Sequence, residues 1–210
     1  MLRNTTIVIS FIFLLKLNCN SSFKYISISL EETIKIKVKG RPGQLQIIKE
    51  DFNTLPAQIF YSNGTLIGQL LSKITIDKEE DIIIMKWNNK FTNCSSMFYQ
   101  LTNIIEIDFS EFDSSEVNYM NRMFEGCTDL QKINFTNFQT SNVISWYCMF
   151  KQCNSLISLD LSSFRTQKNK NFGSMFKECR SLTSLDLSSF DTSSVTHIDN
   201  MFKDCILLTS

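Results

Sequence analysis

The feature that most constrains this chain is an internal repeat of 26 residues in its C-terminal half. The dipeptide Met-Phe recurs at 97–98, 123–124, 149–150, 175–176 and 201–202. A cysteine column keeps the same register at Cys127, Cys153, Cys179 and Cys205. So does an aliphatic column at Ile104, Leu130, Leu156, Leu182 and Leu208. Because one repeat cannot bury its apolar face alone, the sequence predicts that successive repeats stack into a continuous core.

Each repeat contains two apolar patterns. The first follows the L-x-x-L-x-L spacing of a short strand that turns a corner, at Leu182, Leu185, Leu187 and Phe190. The second has the spacing of one helix face, at Val195, Ile198, Met201, Phe202 and Cys205. Side-chain oxygens of Asp191 and Thr192 lie between the two patterns, where they can cap a helix start. The spacing therefore predicts one short strand and one helix in each repeat.

Residues 23–90 lack the repeat, and their patterns indicate β-structure. Thr33–Lys39 alternates strictly between polar and apolar residues, which predicts a half-buried strand. Asn63-Gly64 predicts a tight hairpin turn. Ile82–Trp87 predicts a further strand, and its spacing suggests that it begins the stack through Ile82 and Ile84. We expect a small β-rich N-terminal cap of about five strands.

Residues 1–22 have the pattern of a signal peptide. Arg3 provides a basic start, Ile7–Leu15 is a short apolar run, and Lys16 interrupts that run well before the roughly 20 residues that a membrane-spanning helix needs. The expected organisation is a signal peptide at 1–22, the cap at 23–90 and the repeats at 91–210. The signal-peptide pattern therefore predicts that the protein is exported and is either secreted or located on the cell surface.

The run MFKECRSLTSLDLSSFDTSSVTHIDNMFKDC, residues 175–205, carries the repeat in full. It resembles the 26-residue repeat of BspA-like leucine-rich-repeat surface proteins. The resemblance implies an α/β repeat fold, that is, a leucine-rich-repeat-like solenoid with one short strand and one helix per coil. It also implies a secreted or cell-surface location, a role in adhesion or partner binding, and no catalytic residues.

Composition limits the chemistry. Lys+Arg and Asp+Glu both number 21, so no overall charge favours nucleic acid. There is one histidine, His197, and no motif for a metal or another cofactor. A rival interpretation is a cysteine-dependent hydrolase that uses His197 with Cys94 or Cys148, the cysteines outside the repeated column. We expect the column cysteines to pack as thiols, with a disulfide at Cys94 or Cys148 as the alternative.

Three features are candidate sites. We expect a polar row on one outer face, formed by Asp108, Asn134, Asp160 and Asp186. This row is either a solvated surface or a ligand face, on which Asp108, Asp160 and Asp186 could bind a cation. A basic cluster, Arg165, Lys168 and Lys170, is a second candidate ligand surface. Asn63 lies in an N-x-T glycosylation pattern on the predicted hairpin.

The last residues, Ile206, Leu207 and Leu208, are all apolar and do not form a polar cap. We therefore expect a fragment of a longer repeat protein, or self-association through the open C-terminal coil. The predicted function is a binding or adhesion scaffold for protein or glycan partners outside the cell, and the alternative is a purely structural surface spacer.

Overall fold

The structure is a computed structural model that describes residues 31–40 and 43–209. It contains eight strands in two sheets and, over those ranges, no helix. The predicted α/β solenoid with one helix per repeat is therefore wrong, and the chain is rich in β-structure with a mixed sheet. The predicted signal peptide lies outside the described residues.

The strands are three to eight residues long and are numbered here in chain order. Their bounds are β1 Glu32–Lys39, β2 Gly43–Gln46, β3 Gln58–Tyr61, β4 Leu66–Gly68, β5 Lys73–Ile76, β6 Glu80–Trp87, β7 Ile104–Asp108 and β8 Lys132–Asn134. Six strands form one sheet in the order β4-β3-β6-β1-β7-β8, and β2 pairs with β5 in a separate two-stranded sheet. Most pairs are antiparallel, but β7 and β8 are parallel.

Strand β1 joins the N-terminal strands to the repeats. Its alternating sequence buries Ile34, Ile36 and Val38 completely, as the period of two predicts. It pairs antiparallel with β6 on one side and with β7 on the other. The expectation that β6 begins the stack is therefore wrong, because β1 separates β6 from the first repeat.

The side chains of β6 also point in the opposite direction from the prediction, which placed Ile82 and Ile84 on the buried face. Ile83 and Met85 are buried, whereas Ile82 is 43% exposed. A one-residue change of phase reverses every side chain of a strand, and the continuous apolar run Ile82–Ile84 does not reveal the phase. The β3–β4 hairpin does form around Gly64, whose φ of 85° requires glycine-like freedom.

The segments that were expected to be helices are runs of consecutive turns, stacked on one another. We call the five segments 93–100, 119–126, 145–152, 171–178 and 197–204 the turn wall. Parallel bridges connect them in one row through Asn93, Tyr119, Ser145, Asn171 and His197. The wall therefore stacks residues that are 26 positions apart.

Backbone hydrogen bonds explain why these segments are not helices. Alternate N–H groups donate to the next turn of the wall, as from Phe98 to the Met123 carbonyl at 3.0 Å and from Phe124 to the Met149 carbonyl at 2.9 Å. The residues between them close tight turns, as from Met123 to the Met120 carbonyl at 3.3 Å. An α-helix would direct each N–H to the fourth residue before it.

Left-handed residues interrupt each run twice and stop a helix from forming. One column of positive φ is Ser96, Arg122, Cys148, Ser174 and Asn200. A second column, four residues later, is Gln100, Gly126, Gln152, Glu178 and Asp204. Residues other than glycine adopt this left-handed conformation only when the surrounding structure holds them in it. Here the hydrogen bonds between turns hold them.

Rows of phenylalanine fill the space behind the turn wall. Phe98, Phe124, Phe150, Phe176 and Phe202 stack nearly parallel, with ring centroids 5.4–5.9 Å apart. Other rows are buried as the repeat predicts, for example Leu130, Leu156 and Leu182. The core is thus continuous from β1 through the repeats.

The opposite side of each repeat is less regular than expected. The strand pattern forms β7 and β8 in the first two repeats only. Around Leu159 and Leu185 the backbone has no assigned strand, although single hydrogen bonds still connect the repeats there, as from the Thr183 N–H to the Ile157 carbonyl at 3.0 Å. The prediction of a strand in every repeat is therefore wrong.

Candidate binding surface

The predicted polar row contains residues that cap their own backbone. The Oδ1 atoms of Asp108, Asp160 and Asp186 accept the N–H two residues later, at 2.9, 3.0 and 2.8 Å. Asn134 does the same for Thr136 and donates its Nδ2–H to Asp108 at 2.9 Å. These bonds to Ser162 and Ser188 hold the pKa values of Asp160 and Asp186 below their usual range. Each side chain stabilises a corner of the repeat.

The aspartates were also candidates for a cation site. Within 31–40 and 43–209, no three His, Cys, Asp or Glu side chains come together in a group that could hold a metal ion. The structure accordingly assigns the row a capping role, and its use as a ligand face remains a prediction.

The predicted basic cluster does not point to a shared ligand. Arg165 donates to the carbonyl of Ser162 at 3.1 Å, and Lys168 donates to the amide oxygen of Asn142 at 2.8 Å. Lys170 is exposed. Arg165 thus has a partner within its own repeat and Lys168 has one in the preceding repeat, and a role for the cluster in binding stays a prediction.

Asn63 lies on the exposed turn between β3 and β4. Its Oδ1 accepts the N–H of Thr65 at 2.9 Å, which leaves the Nδ2 amide directed away from that contact. This is the accessible position that a glycosylation acceptor requires. Modification of Asn63 remains a prediction.

The residues of the rival hydrolase interpretation lie in unfavourable surroundings. His197 is exposed, and its Nδ1 is 2.9 Å from the hydroxyl of Thr196. Cys94 and Cys148 are buried free thiols, and burial raises the pKa of both. A nucleophilic cysteine needs a lowered pKa.

The column cysteines are free thiols that also make a hydrogen bond that the sequence pattern did not indicate. Each donates its S–H to the carbonyl of the phenylalanine 29 residues earlier, in the preceding turn of the wall, at 2.9–3.2 Å. Burial raises the pKa of Cys127 to about 12 and raises that of Cys153 and Cys179 as well. They act as small apolar side chains that also satisfy a buried carbonyl.

A column of hydroxyl groups, also missed from the sequence, joins successive repeats. Thr140 accepts the N–H of Arg165 at 2.7 Å and donates to the carbonyl of the same residue at 3.1 Å. Ser114 makes the equivalent pair of bonds to Gln139, and Thr166 makes it to Asp191. The three hydroxyl-bearing residues are buried. Their 26-residue spacing was visible in the sequence and could have indicated this column.

The outer surface of the turn wall combines aromatic, amide and charged side chains. Tyr119 is 41% exposed. The guanidinium of Arg122 lies over the ring of Tyr147 at 5.6 Å from its centroid. Lys151 forms an ion pair with the nearly buried Glu125 at 2.9 Å, which raises the pKa of Lys151. These contacts join side chains of neighbouring turns, so they fix the surface that the wall presents.

The last turn of the wall and the residues that follow it expose apolar side chains. Ile206 is 71% exposed and Leu207 is 50% exposed. Ile198 and Phe202 are also exposed. Self-association through these residues, predicted from the sequence, remains a prediction.

Fold and surface together define a repeat protein, rich in β-structure, with a wall of stacked turns. A family model described as "Mycoplasma protein of unknown function, DUF285" matches residues 70–183 and 134–210. The chain belongs to that family. No curated protein and no solved structure matches it.

The family match corrects the resemblance drawn from the repeat. The matching family is not a leucine-rich-repeat family, so the identification with BspA-like leucine-rich-repeat proteins is wrong. The 26-residue spacing misled because turns stacked on turns place apolar residues at the same intervals as a strand-and-helix coil. In the part of the chain that the structure describes, no helix is long and apolar enough to cross a membrane.

Proposed function

We propose that this protein is a non-enzymatic binding module that acts outside the cell and presents its turn wall to protein or glycan partners. The single observation that carries the proposal is the row of parallel bridges through Asn93, Tyr119, Ser145, Asn171 and His197. These bridges hold different side chains at one repeated backbone position. A rigid row of varied polar and aromatic side chains can bind a partner without a large ordering cost.

The chemistry of the surface supports binding over catalysis. All six described cysteines have raised pKa values, and desolvation is the first cause in each. The imidazole of His197 contacts the hydroxyl of the preceding residue, Thr196. Tyrosine and arginine, by contrast, are the side chains that most often dominate binding interfaces, and both lie on the wall.

The export part of the proposal depends on residues 1–22. Their basic start, short apolar run and polar end are typical of a signal peptide. Mass spectrometry of the native protein should find a mature N-terminus between Asn20 and Lys24. A soluble protein that retains Ile7–Leu15 would contradict export.

The binding test compares two surfaces of the full chain. The immobilised protein is first screened against extracellular proteins by cross-linking and against a panel of glycans. The binding of each ligand found is then compared between the unmodified protein and two triple variants. Replacing Tyr119, Asn171 and His197 with alanine changes the wall. Replacing Arg165, Lys168 and Lys170 with glutamine changes the basic cluster.

We expect the wall variant to lose binding and the cluster variant to keep it, while both variants remain folded. Loss in the cluster variant alone would move the site to that cluster. Specific binding to neither proteins nor glycans by the folded protein would refute the proposal. A hydrolase panel with Cys148→Ala and His197→Ala should show no activity that depends on either residue.

A further inference from the structure

A polar cavity lies where the turn wall meets the segment between β2 and β3. It has a volume of about 480 Å³. Lys49, Asp51 and Asn53 of the segment line one side, and Asn93, Tyr99 and Arg122 of the wall line the other. This volume lies within the roughly 300–1,000 Å³ that small-ligand sites occupy.

The segment that forms one side of the cavity is fixed at both ends. The Lys49 N–H donates to the Met97 carbonyl at 2.9 Å. The Thr54 carbonyl accepts the indole N–H of Trp87 at 3.0 Å. Between these anchors, Phe52 stacks on Phe91 with ring centroids 6.2 Å apart. The cavity is therefore formed before any ligand arrives, which lowers the ordering cost of binding.

The lining favours an anion. Three cationic side chains, Lys49, Lys90 and Arg122, line the cavity with one carboxylate, Asp51. Carboxylates outside the lining form ion pairs with two of the cations. Lys90 pairs with Asp113 at 2.7 Å and with Glu116 at 3.6 Å, and Arg122 pairs with Glu125 at 3.6 Å. Lys49 pairs with Asp51, whose side chain is 77% exposed. A ligand anion can displace such an exposed partner at small cost.

The remaining lining groups favour a hydroxyl-rich ligand. Asn93 uses its Oδ1 to accept the Ser95 N–H at 2.9 Å, so its Nδ2–H groups remain as donors beside the cavity. Ser95, Ser96 and Thr92 add hydroxyl groups, and Tyr99 adds an aromatic wall with Lys49 5.6 Å from its ring centroid. Peptide recognition typically uses an apolar groove or an open strand edge, and this lining provides neither.

We propose that this cavity binds an acidic saccharide, that is, a sugar bearing a carboxylate or a sulfate, through Lys49, Lys90 and Arg122. The inference rests on the proposed function and names a ligand class for one site of the same surface. The cations bind the anionic group, the amides and hydroxyl groups bind the sugar hydroxyls, and Tyr99 contacts a ring face.

Calorimetric titration of the full chain tests the assignment. The probes are 3′-sialyllactose, a sulfated heparin tetrasaccharide, lactose as the neutral control, and a glutamate-rich peptide. We expect at least one acidic saccharide to bind about ten-fold or more tightly than lactose, since charge-assisted hydrogen bonds are the stronger ones. Binding should weaken as the salt concentration rises. The two acidic probes distinguish a carboxylated from a sulfated ligand.

Variants place the binding in the cavity. Lys49→Gln with Lys90→Gln should weaken acidic-saccharide binding by about ten-fold or more. Lys203→Gln makes the same kind of charge change on an exposed lysine of the last turn and should leave binding unaltered. Asn53→Ala changes no charge and should weaken binding several-fold, which keeps the test valid if the double variant unfolds.

Equal affinity for lactose and the acidic saccharides would overturn the proposal. So would a loss of acidic-saccharide affinity in Lys203→Gln as large as that in the cavity variants. Binding of the acidic peptide alone would also overturn it and leave the proposed function standing. If no saccharide binds while the turn wall still captures a protein partner, only this inference fails. If the folded protein binds nothing, the proposed function fails as well.

Discussion

Replacing Thr140 with valine isolates the hydroxyl bridge between successive repeats. Valine keeps nearly the same volume, and Thr140 is 1% exposed, so packing changes little. The change removes an acceptor 2.7 Å from the Arg165 N and a donor 3.1 Å from the Arg165 carbonyl oxygen. The Arg165 groups take part in partly buried hydrogen bonds, and leaving a buried group unsatisfied costs about 1–3 kcal/mol. We therefore expect a loss of about 2 kcal/mol in the free energy of unfolding.

Urea unfolding followed by circular dichroism measures this loss, and in a chain of this size it corresponds to a melting temperature lower by roughly 5–10 °C. Thr140→Ser keeps the hydroxyl and should be milder, because Ser114 makes the same bridge in its own repeat. Thr192→Val is the matched control: Thr192 occupies the same column, is exposed, and has no side-chain hydrogen bond within the described residues. Equal losses at Thr140 and Thr192 would refute the bridge.

Three further predictions follow from the packing. Phe150→Ala in the phenylalanine row should cost about 3–5 kcal/mol in urea unfolding, whereas Phe202→Ala, at 39% exposed, should cost clearly less; similar losses would argue against a continuous row. Burial raises the pKa of Cys127 to about 12, so its stabilising contribution is complete below the ordinary value of about 8.5 and is lost as pH rises toward about 12. The urea concentration at the unfolding midpoint should therefore decrease as the pH is raised from 8 to 10, and an unchanged midpoint would contradict this. Ile206→Lys with Leu207→Lys should reduce any self-association seen by analytical ultracentrifugation, and unchanged association would exclude that surface.

The sequence predicted which residues of the repeat are buried better than it predicted their backbone. The Met-Phe column and the leucine column are buried in the first four repeats because they recur with the stack, whereas Phe202 of the last repeat is exposed. Their spacing of three and four residues is, however, common to a helix and to consecutive turns. What separates the two is the partner of alternate N–H groups, which lies 25 residues away in the chain, as for Phe124 and Met149.

The candidate sites were predicted less well because the contacts of their side chains depend on the folded backbone. Asp160 and Asp186 were recognised as a polar row, but their bonds to the following N–H groups depend on a corner that only the folded chain shows. The cavity beside Tyr99 depends on residues 49–54, which carry no motif, being held against the wall. The insertion of β1 between β6 and β7 is likewise a long-range pairing that local patterns do not specify.

The central claim is that the repeat folds as stacked turns joined by hydrogen bonds from one turn to the next. NMR scalar coupling across hydrogen bonds measures the partner of each amide directly. The structure predicts a coupling from the amide nitrogen of Phe124 to the carbonyl carbon of Met149, across a bond of 2.9 Å. A helical repeat would instead couple the Phe124 amide to the carbonyl of Met120, four residues earlier. That second result, or the absence of coupling to Met149 in the folded protein, would contradict the account.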